Sequence, residues 1–262
     1  MQPSDISHSP VPPTLTEDGF LGDRLRILQP EKGFRAGIDS VFLAAAVPCR
    51  AGENVFEAGI GPGVAALCLL ARTPDVAVTG VEVATRYVMI CEENAKRNGV
   101  ADRLRVIHAD VRDALRRDQL GIPAPGSFAH AMVNPPFFDE ARSTPSPHLL
   151  KSQAHAFGPD DLELWVKLLH AMLANRGSLT IMHRADALGQ LLGSMQNRFG
   201  DIRIAPLFPR LGSVASRILV QGIKGSKAPL QILPGIVLHD DGNGFTPAAE
   251  AVLRDGAAFP LR

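Results

Sequence analysis

Val55-Phe56-Glu57-Ala58-Gly59-Ile60-Gly61-Pro62-Gly63 is the stretch that decides the fold of this chain. An apolar strand ends in an acidic residue and runs into a turn with glycine at alternate positions. The turn opens onto Val64–Ala71, where Ala65, Ala66, Leu67, Cys68, Leu69 and Leu70 give the composition of a buried helix. Glycine lets backbone pass close to a ligand with no Cβ in the way. A dinucleotide fingerprint needs glycine at the first, third and sixth loop positions. Counting from Gly59, the sixth position is Val64, so that pattern fails. The Glu57 carboxylate would also repel a diphosphate and attract an ammonium.

Two further strand ends extend the series. Ala77–Val81 reads as a second strand ending in Glu82, about 20 residues past the glycine turn, the place where a carboxylate grips a ribose diol. The helix from Ala84 to Asn98 carries Tyr87, Ile90, Cys91 and Asn94–Ala95 at helical spacing and stops at Gly99. Leu104–His108 reads as a third strand, followed by Asp110. That carboxylate can accept from an adenine amine, or it can cap a helix over Val111–Leu115. An ammonium near Glu57, a ribose on Glu82 and no phosphate together describe S-adenosylmethionine.

A fourth strand, Ala129–Val133, runs into Asn134-Pro135-Pro136-Phe137. Open α/β sheets place ligands at the carboxyl ends of their strands. The Asn134 amide oxygen can accept one hydrogen of a planar NH2 group, and the Pro135 carbonyl can be held rigidly as a second acceptor. Phe137 gives a flat base a ring to stack on. The set suits methylation of an amino group conjugated to a ring or a carbonyl. Read without its neighbours, the tetrapeptide is an Asn-Pro turn closing a strand.

In this order, Glu57-x-Gly59-x-Gly61-x-Gly63, Glu82, Asp110 and Asn134-Pro135-Pro136-Phe137 resemble the class I S-adenosylmethionine-dependent methyltransferases that act on amino nitrogens. The pattern is most similar to the tRNA adenine-N6 methyltransferases that act on a valine tRNA. Phe34-Arg35-Ala36-Gly37-Ile38-Asp39-Ser40-Val41-Phe42-Leu43-Ala44 and Thr144-Pro145 carry the likeness further, over roughly Leu15 to Arg254. The departure is Phe137 where many relatives carry Tyr, which keeps stacking and loses a phenol hydroxyl. The resemblance implies a Rossmann-like seven-stranded sheet, mostly parallel with an antiparallel closing strand and helices on both faces. It implies that Gly37, Asp39, Glu57, Gly59, Gly61, Gly63, Glu82, Asp110 and Val111 line the cofactor. Asn134, Pro135, Pro136 and Phe137 would form the catalytic set, with N6 of the anticodon-loop adenine 37 as the target.

The 262 residues suffice for one such domain over residues 14–262. Residues 1–13 are polar with four prolines and read as a disordered tail. Residues 14–46 form a lead-in, with a hairpin around Leu25–Leu28 and a helix over Asp39–Ala46. Past Val133, Asp160–Leu173 reads as a helix whose Trp165 belongs to the core, and Ser178–Met182 as a fifth strand with His183 and Arg184 at its mouth. Ala187–Arg198 reads as a helix, Ile202–Leu207 and Ala215–Gln221 as the closing antiparallel pair, and Thr246–Arg254 as a last helix. The formal net charge is zero, so a polyanion must be met by local clusters. Arg142 and Lys151 lie in the long loop after the catalytic motif. Arg210, Arg217, Lys224 and Lys227 flank a strand, and both groups are candidate RNA contacts. Cys49, Cys68 and Cys91 lack paired spacing and read as buried thiols of a reduced cytoplasm. No metal set, membrane helix or signal peptide is visible. Two other functions remain open: a protein-glutamine N5 methyltransferase using the same acceptor pair, and a non-catalytic nucleotide-binding module. Gly37-x-Asp39 fits the tRNA family better than the glutamine family.

Overall fold

The computed structural model describes residues 14–111, 121–135 and 161–262. The sequence expectations for the tail, for the helix after Val111 and for the loop after the catalytic motif lie outside these residues.

β1 (Leu15–Phe20) and β2 (Leu25–Pro30) pair as an antiparallel hairpin, so Leu25–Leu28 lies in its second arm rather than at its turn. The free edge of β2 faces α3 (Thr85–Arg97). Asn94 accepts from the Leu28 N–H at 2.8 Å and donates to the Leu28 carbonyl at 2.9 Å. Asn98 repeats the exchange with Arg26. Two amides four residues apart thus replace a strand and satisfy an edge that would otherwise recruit another chain.

The main sheet follows the predicted series. β3 (Asn54–Ala58), β4 (Ala77–Glu82), β5 (Leu104–His108), β6 (Phe128–Val133) and β7 (Leu173–Arg184) are parallel, in the spatial order β5-β4-β3-β6-β7. β9 (Arg217–Lys224) enters antiparallel between β7 and β8 (Phe199–Phe208). These are the seven expected strands. Two short ones, β10 (Gln231–Ile232) and β11 (Ile236–Val237), add to β8 and bring the sheet to nine strands among the described residues. They are interrupted at Pro234-Gly235, where Gly235 has φ 75° and a Cβ would lie 2.1 Å from the Pro206 carbonyl oxygen. β7 is longer than its apolar stretch, because Leu173 pairs with Phe128 ahead of an irregularity that residues 174–177 occupy.

Strand alternation sends side chains to two cores. One face packs Val55, Met132, Met182 and Leu219 against α1 (Ile38–Ala46), α2 (Val64–Arg72) and the C-terminal α6 (Pro247–Leu253). The other packs Phe56, Val133, Ile181 and Val220 against α4 (Asp161–Met172) and α5 (Leu188–Met195). Trp165 is 8% exposed in this second core, as its sequence context predicts.

The antiparallel entry of β9 corrects one grouping. Arg217 begins β9 and pairs with Arg184 at the carboxyl end of β7. Lys224 ends β9, so at about 3.3 Å per residue the two lie roughly 23 Å apart. Arg210 and Arg217 sit at the carboxyl rim, and Lys224 and Lys227 at the opposite end, so the four do not share one face. Lys224 Nζ donates to the carbonyls of His170 at 2.8 Å and Leu173 at 2.6 Å, closing the C-terminus of α4. Its half-buried site holds the ammonium pKa down through desolvation. Lys224→Met should therefore lower unfolding stability by about 1–2 kcal/mol in denaturant melts. RNA affinity should not change, and a loss of RNA affinity with unchanged stability would return Lys224 to the binding surface.

Candidate active site

The carboxyl ends of β3, β4 and β6 converge on one rim. The turn after β3 is a run of left-handed glycines: Gly59 at φ 66°, Gly61 at 56° and Gly63 at 88°. Space is closed as well as conformation. A Cβ on Gly59 would lie 2.8 Å from Trp165 Cη2, and one on Gly63 would lie 2.8 Å from Cys91 Sγ.

Two carboxylates hold the turn from below. Glu82, buried at the end of β4, accepts the Gly61 N–H at 3.0 Å on Oε2 and the Ala84 N–H at 2.9 Å on Oε1. Each oxygen retains acceptor capacity for a hydroxyl. Glu57 is 3% exposed. Gly63 provides no side-chain cap for α2, and the Glu57 carboxylate instead takes the Ala66 N–H in the first helical turn. Burial drives the Glu57 pKa well above the usual carboxylate range, the like charge of Glu82 adds to this, and the Ala66 N–H opposes it. Glu57 Oε2 has no hydrogen-bond partner among the described residues. A cationic ligand suits such a group, so the residues present fit a cofactor that carries an ammonium and a sulfonium.

Asn94 Nδ2 also donates to the Pro62 carbonyl at 2.9 Å, tying the lead-in hairpin to the glycine turn. Sequence reading placed Asn94 only on a helical face. The Asn94 and Asn98 pair at i, i+4 was the available signal. Phe34 was likewise noted only within its motif. It is 41% exposed, and its ring lies 3.4 Å from a Cβ built on Gly61. The Tyr87 hydroxyl donates to the Phe34 carbonyl at 3.1 Å.

Asn134 directly follows β6, and its Oδ1 is buried with no hydrogen-bond partner among the described residues. Pro135 is buried beside it. Pro136, Phe137, Arg142 and Lys151 lie outside the described residues. Asp110 is half-buried and engaged by a partner, and Val111 is 8% exposed in the second core. Gly37 is the extended N-cap of α1, with φ −141°. Asp39 accepts from Arg217 Nε at 2.9 Å, so these residues, expected in separate cofactor and RNA sites, form one ion pair. Among the described residues no cluster of His, Cys, Asp and Glu is arranged to hold a metal, and no helix is long and apolar enough to cross a membrane.

The expectation that Glu82 grips a ribose has a direct test. Glu82→Ala removes the clamp on Gly61 and any acceptor for the ribose together, so S-adenosylmethionine affinity should fall by about 1–3 kcal/mol in calorimetry. Unchanged affinity would remove Glu82 from the cofactor site.

Several known proteins are similar to this chain. A tRNA1(Val) (adenine(37)-N6)-methyltransferase of Shewanella sediminis is 25% identical over 158 residues, 60% of this chain and 63% of that protein. A release factor glutamine methyltransferase of Chlorobaculum tepidum is 24% identical over 199 residues, 73% of this chain and 66% of that protein. The chain thus spans slightly under two thirds of each of these relatives. A solved structure described as a predicted O-methyltransferase, Atu636 from Agrobacterium tumefaciens, superimposes with a TM-score of 0.70 at 25% identity, over 85% of this chain and 98% of that one. The family model for the methyltransferase small domain matches residues 35–166, half of the chain, which therefore belongs to that family of S-adenosylmethionine-dependent methyltransferases.

Proposed function

We propose that the protein methylates the exocyclic N6 amine of an adenine in tRNA, the anticodon-loop adenine 37 of a valine tRNA being the expected target. One observation carries this reading: the buried Asn134 Oδ1 at the end of β6, an acceptor with no partner among the described residues. A buried polar atom left unpaired costs about 1–3 kcal/mol, a cost recovered when a donor arrives. The NH2 group of adenine is such a donor. Bound S-adenosylmethionine supplies an electrophilic methyl group on its sulfonium.

The protein's own contribution is positional and electrostatic. Asn134 Oδ1 takes one amine hydrogen and the Pro135 carbonyl the other. This favours the pyramidal nitrogen of the transition state over the conjugated ground state. The nitrogen needs no prior deprotonation, because it becomes acidic only as it gains the methyl group. Phe137 stacks on the base, which must leave its own stack to enter, at least cost from a loop. Arg210 and Arg217 on the carboxyl rim, with Arg142 and Lys151, are the proposed RNA contacts.

A protein-glutamine N5 methyltransferase is the second reading. The Chlorobaculum relative supports it, and a carboxamide NH2 offers the same two hydrogens. Gly37-x-Asp39 ahead of the apolar α1 favours the tRNA. A non-catalytic module gains nothing from an unsatisfied buried acceptor beside an intact cofactor turn.

With labelled S-adenosylmethionine, unmodified tRNA should be labelled and release factor should not, and digestion should yield 6-methyladenosine by mass spectrometry. Label in the release factor alone would establish the second reading. Asn134→Ala should lower turnover about a hundredfold or more, on the order of 3 kcal/mol, with cofactor affinity spared. Full turnover in that variant would refute the acceptor role.

A further inference from the structure

We infer that Glu57 keeps its proton in the free protein and releases it to solvent when the cationic cofactor binds at the glycine turn, so that one side chain selects for charge and couples cofactor affinity to pH. The inference rests on the cofactor assignment above and is independent of the methylated substrate.

Two carboxylates share the ground beneath the turn, and their surroundings differ. Glu57 lies opposite Gly80 in the register of β3 and β4, and Glu82 ends β4 two residues further on. Glu82 is served as an anion: one N–H group reaches each of its oxygens, from Gly61 at 3.0 Å and from Ala84 at 2.9 Å. Glu57 takes the Ala66 N–H, while its Oε2 is buried with no partner among the described residues. Neither solvent nor a donor among the described residues reaches that oxygen. A carboxyl in that state, beside an ionised neighbour, is more stable protonated. The other elements packed around it offer no relief. Met132 stands opposite Glu57 on β6. The ionisable groups that share its field from the helices are the Cys68 thiol of α2 and the Cys91 thiol of α3, both held neutral by burial. Arg24, in the turn of the lead-in hairpin, acts on Cys68 rather than on Glu57, and no basic group among the described residues offsets the Glu57 charge.

A bound cation changes that balance. S-adenosylmethionine carries an ammonium, a sulfonium and a carboxylate, a net single positive charge. Positive charge brought to the turn favours the ionised form of a carboxyl beside it. The O–H bond of the Glu57 acid breaks, its electron pair stays on the carboxylate, and the proton leaves to solvent or buffer. The bound state then holds a cation beside an anion where the free state held a neutral acid. A ligand that lacks both cations gains nothing from this step. In the free protein the sign is opposite. A carboxyl whose pKa is raised by folding has no effect while both states are protonated, and it destabilises the fold as pH climbs from the unfolded value of 4.5 toward the raised one.

The test uses the full chain and Glu57→Gln, which keeps the shape and cannot ionise. Calorimetry at about pH 6, below the α-amino range of about 7.7–8.0, keeps the cofactor ammonium charged. Titrating S-adenosylmethionine in two buffers of different ionisation enthalpy counts the protons. Wild type should release about 0.5–1 proton more per cofactor than Glu57→Gln, and its affinity relative to the variant should rise about three- to tenfold per pH unit between about pH 5.5 and 7. Methylthioadenosine, which retains the nucleoside and lacks both cations, should bind with no such difference. Comparing the two proteins cancels the other ionisable groups of the rim, such as His108 at the end of β5. Without cofactor, the melting temperature of wild type should fall relative to Glu57→Gln by about 3 °C or more between about pH 5 and 8. Equal proton counts and parallel pH profiles, with the cofactor still bound, would overturn the inference and leave the cofactor assignment standing. An equal release on binding methylthioadenosine would overturn it too, because the proton would then follow burial of the site rather than charge. Where Glu57→Gln folds or binds too weakly to compare, wild type decides alone, and no net proton release at about pH 6 would overturn the inference. A wild-type protein that does not bind S-adenosylmethionine would overturn the cofactor assignment as well.

Discussion

The Glu82 carboxylate is the constraint on which the cofactor side depends. It closes β4, and its two oxygens take the N–H groups of Gly61 and Ala84, so one side chain fixes both the turn after β3 and the start of α3. The turn accepts this restraint only because Gly59, Gly61 and Gly63 all sit at positive φ, where a side chain would be strained. Trp165 and Cys91 press on the same glycines from opposite cores. Hydrogen bonds and close packing thus both restrain the rim, and a preorganised site loses less free energy on binding.

Rigidity here carries an electrostatic cost. Glu57 lies buried beside Glu82, and burial together with that like charge raises its pKa. Burial, and after it the charge of Glu57, pushes the Cys68 thiol up to about 12 and raises the Cys91 thiol as well. These two thiols are therefore inert packing groups rather than nucleophiles. An acidic floor that is unfavourable alone becomes less so once a cation rests on it.

Much of this was legible in the sequence, and the limits were physical. The strand, glycine turn and helix series could be read because local spacing encodes it: apolar runs end in Glu57, Glu82 and Asn134, each at a strand mouth. Non-local pairing is not so encoded. The split of Arg217 from Lys224 depends on β9 running antiparallel, which places neighbours in the sequence at opposite ends of the sheet. β10 and β11 are two residues each, too short for any period to show. The Asn94 link between β2 and Pro62 needed the hairpin's free edge to be known first. At the site, Glu57, Glu82 and Asn134 stand where the motif places them, while Asp39 meets an arginine 178 positions away.

That last contact ties the lead-in to β9. The likeness to the tRNA methyltransferases implied that Gly37 and Asp39 line the cofactor. In space, α1 crosses from the rim toward the far end of the strands, where the Ala46 carbonyl receives Gln221 Nε2 at 2.9 Å. Asp39 at one end and Ala46 at the other therefore fasten α1 to β9. A second anchor lies behind it, since Arg72 of α2 donates to the carbonyls of Ala44 and Val47 at the C-terminus of α1. α1 packs on α2, the helix that leaves the glycine turn, while its two ends are tied to β9. The order of the motif in the sequence and its order across the sheet differ for that reason. A helix that precedes the first strand of the main sheet is not bound to that strand's neighbours, and here it reaches from α2 to β9.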